Sequence, residues 1–161
     1  MEPIRESPII GVIGGSRTTA AEKAAAQTVG RLLAESGAVL ICGGRGGVME
    51  AACRGAKAAG GLTIGILPGS NRRQANPYVD IPIVTGIGEA RNAIIARTAR
   101  AVIAIGGSYG TLSEIAFALA FGTPVVGWGT WRVQREGHPT PPIFHAATPE
   151  EAVARALQLA H

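Results

Sequence analysis

Three short apolar runs in this chain each stop at a cluster of glycines that opens into a helical pattern. Ile9 to Ile13 leads into Gly14-Gly15-Ser16, and Ala38 to Ile41 into Cys42-Gly43-Gly44-Arg45-Gly46-Gly47-Val48-Met49. Ala101 to Ile105 leads into Gly106-Gly107-Ser108-Tyr109-Gly110-Thr111-Leu112-Ser113-Glu114. Continuous β-branched runs fit strands covered on both faces. Strands alternating with helices through short turns predict a parallel sheet with helices on either side. The expected fold is α/β: a Rossmann-like three-layer sandwich with a mainly parallel sheet. A strand that ends in glycines and feeds a helix N-terminus gathers unpaired backbone N–H groups around one concavity, in the positive field of the helix end. A phosphate is the natural occupant.

Taken in order, the first helix opens at the capping box Thr19-Ala20-Ala21-Glu22 and closes at Gly37. The second places Met49, Ala52, Cys53 and Ala56 on one face and ends at Gly60-Gly61. Leu62 to Leu67 reads as strand three, and the irregular stretch Ser70 to Asp80 as a long, functional loop. Pro82 puts strand four, Ile81 to Val84, near an edge or an end of the sheet. Helix three is expected over Gly88 to Thr98, helix four over Leu112 to Phe121, and strand six over Pro124 to Val126. Residues 127–148, rich in Gly, Pro and Trp, read as a surface loop, with Trp128 and Trp131 either covering a ligand or packing beneath it. Thr148-Pro149-Glu150-Glu151 starts the last helix. No repeat or change of composition divides the chain, so residues 1–161 are expected to form a single domain.

The net charge of +4, with arginine supplying 13 of the 15 basic residues, raises the question of nucleic acid. The arginines are scattered and aromatics make up only 4%, which supplies no base-stacking surface. Arg17, Arg45, Arg72 and Arg73 instead fall in turns after strands, a placement suited to a small anion. Cys42 and Cys53 are the only cysteines, with no histidine at metal-ligand spacing, so neither a structural disulfide nor a metal site is expected. No run reaches membrane-spanning length, and the segment from Met1 to Pro8 lacks an apolar signal core; the expected location is cytoplasmic.

Within the turns, Gly14, Gly15 and Ser16 miss the dinucleotide fingerprint, and no carboxylate follows strand two to hold a ribose. A hydride-transfer enzyme is therefore disfavoured, and a Walker-type site is too, since no glycine turn is followed by Lys-Ser or Lys-Thr. Glu114 has two readings: the end of a capping box begun by Thr111, or a carboxylate facing the pocket that grips sugar hydroxyls or assists attack by water. Arg91 is either a solvated helix arginine or a planar phosphate clamp, with Asn92 beside it. Ser16 and Ser108 read equally as turn formers and as phosphate donors. Met49 reads as core.

These residues resemble the LOG-type family, often mislabelled as lysine decarboxylases, whose signatures are a G-G-G-x-x-G-x-M turn and a P-G-G-x-G-T-x-x-E turn. Cys42 to Met49 and Gly106 to Glu114 occupy those motifs, and the family's site arginine falls on Arg91. The resemblance implies hydrolysis of the N-glycosidic bond of a nucleoside 5′-monophosphate such as AMP, with Arg91 and Glu114 as the catalytic pair and no cofactor required. The phosphate would lie on Gly14, Gly15, Ser16, Gly43, Gly44, Gly46, Gly47, Met49, Asn92, Gly107, Ser108, Tyr109, Gly110 and Thr111. Cys42 and Gly106 depart from the first residue of each motif, Ser108 from a glycine, and Asn92 from a lysine. Those departures are similar to a sister branch, the molybdenum-cofactor carrier proteins, which bind a phosphorylated pterin without hydrolysis. That alternative makes the molybdenum cofactor a carried ligand. Either way the resemblance implies a homo-oligomer, while the composition argues against a membrane and disfavours a nucleic-acid partner.

Overall fold

The structure is a computed structural model that describes residues 3–161; Met1 and Glu2, at the start of the segment read above as lacking a signal core, lie outside the described residues. Seven strands form one sheet in the order β4-β3-β2-β1-β5-β6-β7, with every pairing parallel. They are β1 (Ile9–Gly14), β2 (Val39–Cys42), β3 (Thr63–Leu67), β4 (Ile81–Val84), β5 (Ala101–Ile105), β6 (Val125–Trp128) and β7 (Phe144–His145). The helices are α1 (Ala20–Glu35), α2 (Val48–Ala58), α3 (Asn92–Thr98), α4 (Tyr109–Phe121) and α5 (Pro149–Leu159). This is the expected Rossmann-like sandwich.

Alternation along the central strands divides the core into two layers. Ile10, Val12, Leu40 and Ile103 face α1, α2 and α5, while Ile13, Ile41, Val102 and Ala104 face α3 and α4. β2 and β5 are buried at every residue, as strands covered on both faces must be. β4 is the sheet edge that Pro82 predicted, and Ile81, Ile83 and Val84 stand exposed on it. α1 and α2 cross at contact distance because Gly30 and Gly55 carry no side chain; a Cβ on either would run into the backbone of the other helix.

Three boundaries differ from the sequence expectation. Residues 127–148 are not all loop: β6 runs on to Trp128, Ile143 is buried, and Phe144–His145 adds a seventh strand. Helix three begins as a 3-10 turn over Gly88–Arg91 and becomes α-helical only at Asn92. α4 starts at Tyr109 with Ser108 as its N-cap, so Thr111 does not cap it and Glu114 lies inside the helix. The capping-box reading of Glu114 is thereby corrected. At α1 half of the box forms: Thr19 Oγ1 accepts from Glu22 N–H, while the Glu22 carboxylate accepts from the Thr19 hydroxyl rather than from Thr19 N–H, each at 3.1 Å.

Among the described residues no helix is long and apolar enough to cross a membrane.

Candidate functional site

In open α/β sheets ligands collect beyond the carboxyl ends of the strands, where the strand order reverses. Here that point lies between β1 and β5, whose successors β2 and β6 go off in opposite directions. A cavity of about 320 Å³ opens there, lined by residues that follow β1, β2, β3 and β5 and by the start of α3 and α4. Of the residues singled out from the sequence, Gly14, Gly15, Ser16, Met49, Arg91, Asn92, Ser108, Gly110, Thr111 and Glu114 line it. Gly43, Gly44, Gly46, Gly47, Gly107 and Tyr109 do not. Arg45, one of the turn arginines placed to meet a small anion, lines it as well, and so do Pro68 and Glu89, which the sequence had not marked.

The absent glycines build the wall instead. A Cβ on Gly43 would collide with the Arg91 guanidinium and Met49 Sδ. Gly107 takes a φ of 98°, and a Cβ there would strike the Thr111 side chain. Gly44 N–H donates to Cys42 Sγ at 3.3 Å, and its carbonyl accepts from Asn76 N–H at 2.8 Å. Asn76 is buried and also donates from Nδ2 to Arg45 O at 2.8 Å, so the stretch 70–80 braces the glycine turn from outside. Tyr109 points away, 80% exposed, with its ring 5.7 Å from that of Trp131. Trp131 Nε1 donates to Ser108 O at 3.0 Å, so this tryptophan ties the late loop to the start of α4.

Arg91 is 7% exposed, the one buried cation among the described residues. Its Nη1 donates to Gly43 O at 2.7 Å and to Ile66 O at 2.5 Å, which pins it to the ends of β2 and β3. The solvated-arginine reading is overturned, since the strand ends supply carbonyls that would otherwise lie buried without donors. Nε has no partner, and neither has Oδ1 of Asn92, a residue only 2% exposed. Buried polar atoms without partners are rare in native proteins and mark a place where something else supplies the bond.

The amides of Tyr109, Gly110 and Thr111 meet no acceptor among the described residues; the first amide of α4 to be satisfied is Leu112, on Ser108 O. Glu114 follows Thr111 by one turn and is part-buried. Burial pushes its carboxyl up to about 8; the Arg91 guanidinium opposes that shift and Glu89 adds to it. At neutral pH Glu114 is therefore mainly a hydrogen-bond donor. Behind the wall, Cys42 and Cys53 are free thiols with their sulfurs 3.5 Å apart. The bond to Cys42, together with burial, pushes the Cys53 thiol up.

The arrangement thus offers free amides at a helix N-terminus, a fixed cation, one unpaired acceptor and a neutral carboxyl. Such a site suits a phosphate attached to a polar ring.

The chain is similar to several known proteins. Residues 7–153 match the profile of the SLOG cluster4 family. A protein of Archaeoglobus fulgidus is 50% identical over 116 residues, 72% of this chain and 76% of that one. The molybdenum cofactor binding protein of Rippkaea orientalis superposes with a TM-score of 0.86 at 38% identity, over 97% of this chain and 99% of the other. The molybdenum cofactor carrier protein of Chlamydomonas reinhardtii gives a TM-score of 0.83 at 40% identity, over 96% and 98%. DNA processing protein A of Helicobacter pylori, at 19% identity and a TM-score of 0.72, shares the fold.

Proposed function

The chain belongs to the SLOG cluster4 family, and we propose that it is a binding and carrier protein for a phosphorylated pterin, the molybdenum cofactor. The observation that carries this reading is the pairing of a pinned, buried arginine with unpaired amides at one cavity. It occurs in a chain similar over nearly its full length to proteins described as binding and carrying that cofactor. The phosphate sits on the first-turn amides of α4, with Thr111 and the Arg91 charge beside it. The ring meets Asn92 Oδ1, which accepts a ring N–H, and Glu114, which donates while protonated. Homo-oligomerisation belongs to the same proposal. The exposed edge strand, with Ile81 and Ile83 each 43% exposed, supports it.

The second reading, hydrolysis of AMP by Arg91 and Glu114, draws on the same residues. It asks Glu114 to stabilise an oxocarbenium-like sugar, which an ionised carboxylate does and a neutral one does not. One experiment separates the two. The purified protein is incubated with molybdenum cofactor released from a molybdoenzyme, and separately with AMP. Co-elution of molybdenum and pterin with the protein, and no free adenine, is the expected result. Adenine release that disappears in Glu114→Gln, without cofactor retention, would replace the carrier by the hydrolase.

A further inference from the structure

A second cavity, of about 500 Å³, adjoins the first. It shares Gly15, Ser16 and Ser108 with the main pocket and adds Arg17, Glu22 and Gly107. α3, α4 and Met49 of α2 flank the main pocket, whereas Glu22, on the first turn of α1, flanks the second. They meet at the crevice between β1 and β5, through the shared Gly15, Ser16 and Ser108, the place where doubly wound folds lay a two-armed ligand across the sheet. The partition is thin. Gly15 and Gly107 approach so closely that a Cβ on Gly15 would lie 3.6 Å from Gly107 Cα, and only the two serines bear side chains on it.

The supply of donors at this partition exceeds what one phosphoryl group can use. The amides of Ser16, Arg17, Gly107 and Ser108 find no acceptor among the described residues, in addition to the three free amides at the start of α4. The Arg17 side chain has no acidic partner within ion-pair distance, the described salt bridges being Arg31 with Glu35 and Lys57 with Asp80. Glu22 lies against Gly106 Cα, where a Cβ would overlap its carboxylate. One of its oxygens takes the Thr19 hydroxyl, and the other, Oε2, has no hydrogen bond. A dinucleotide fold ordinarily holds ribose with an acidic residue at the end of its second strand. This chain has Cys42-Gly43 there, and Glu22 supplies a carboxylate from α1 instead.

Resting on the phosphate-binding reading above, we infer that the two cavities form one site for a pyrophosphate-linked ligand. A phosphorylated heterocycle fills the main pocket, and a nucleotide joined through its phosphate extends into the cavity of Arg17 and Glu22. The pyrophosphate spans the Ser16 and Ser108 partition, Arg17 pairs with the outer phosphoryl group, and Glu22 accepts from sugar hydroxyls.

The test is calorimetric binding of orthophosphate, pyrophosphate and ADP-ribose at one ionic strength, to the full chain and three variants. Pyrophosphate is expected to bind at least tenfold tighter than orthophosphate. Arg17→Ala removes most of that gain and leaves orthophosphate unchanged. Arg100→Ala, a charge control at the opposite end of the sheet, leaves the ratio intact. Glu22→Gln, which preserves the helix cap, weakens ADP-ribose several-fold and pyrophosphate less than twofold. Equal affinity for the two anions, or equal losses of both in Arg17→Ala, overturns the second arm while leaving the phosphate pocket standing. Binding of neither anion removes the pocket and this inference together.

Discussion

Replacing Glu114 by glutamine tests the charge state on which the carrier reading turns. An acid whose folded pKa lies above its unfolded value stabilises the fold only while protonated. That contribution is complete below about 4.5, declines as pH rises toward about 8, and is constant beyond. Each pH unit between the two values carries about 1.4 kcal/mol, which sets a ceiling near 5 kcal/mol. Glu114 is only part-buried, so solvent trims the ceiling, and a loss of about 2–3 kcal/mol is expected across that interval. The glutamine side chain keeps the shape and the donor but cannot ionise. Urea unfolding midpoints of wild type and Glu114→Gln, taken at steps from about pH 5 to about pH 9, read the difference directly. The variant should gain on wild type steadily and then run parallel above about pH 8. Parallel curves throughout would mean that Glu114 is ionised at neutral pH and that the pocket is not a low-dielectric site.

Arg91→Ala leaves the carbonyls of Gly43 and Ile66 without their donor and should cost about 2–4 kcal/mol, measured as a lower urea midpoint. Retention of wild-type stability would show that the guanidinium is not holding the strand ends. Gly107→Ala places a methyl against Thr111 at a φ of 98°, and a loss of about 2–4 kcal/mol is expected in thermal unfolding. Gly46→Ala, with open space at its Cβ, should stay within about 0.5 kcal/mol of wild type in the same assay. Gly110→Ala also meets open space, so helix propensity predicts a gain of about 0.5–1 kcal/mol while the new methyl narrows the pocket and weakens phosphate binding. Trp131→Phe removes the bond to Ser108 O and should cost about 1 kcal/mol, seen in the urea midpoint.

Much of this architecture was legible because its signals are local. A strand that ends in glycine and feeds a helix follows from strand burial and turn chemistry, and Pro82 marked the edge strand for want of an N–H. Arg91 and Glu114 were legible through motif and spacing, whereas their environments were not. Nothing near Arg91 in sequence announces that its donors will meet carbonyls on two different strands, 48 and 25 residues away. The two-residue strand Phe144–His145 is too short to show a period of two, so it vanished into the loop. The start of α4 was misplaced because Thr-Leu-Ser-Glu carries a cap signature, while Ser108, with its non-helical backbone, starts the helix three residues earlier. Arg45 and Glu89 reach the pocket only through the folding of the glycine turn and the 3-10 turn. Gly43 and Gly107 show the converse: a motif glycine can matter by making room for Arg91 or Thr111 without touching a ligand.

The same phosphate cradle can serve a carrier or a hydrolase, and the sign of the pocket's charge decides between them. Arg91 is fixed by two carbonyls and cannot swing away, while burial keeps Glu114 largely uncharged at neutral pH. Arg45 and Arg91, set against the single Glu89 carboxylate, leave the lining net positive beside the free amides at the start of α4. That field stabilises a bound phosphate equally before and during cleavage of a glycosidic bond, so it tightens binding without lowering the barrier. It also works against positive charge developing on the sugar, which a hydrolase must stabilise. This balance is the one that the proposed carrier role calls for. Restoring catalysis would require Glu114 to ionise, and opening the pocket around that carboxyl is the change that would allow it.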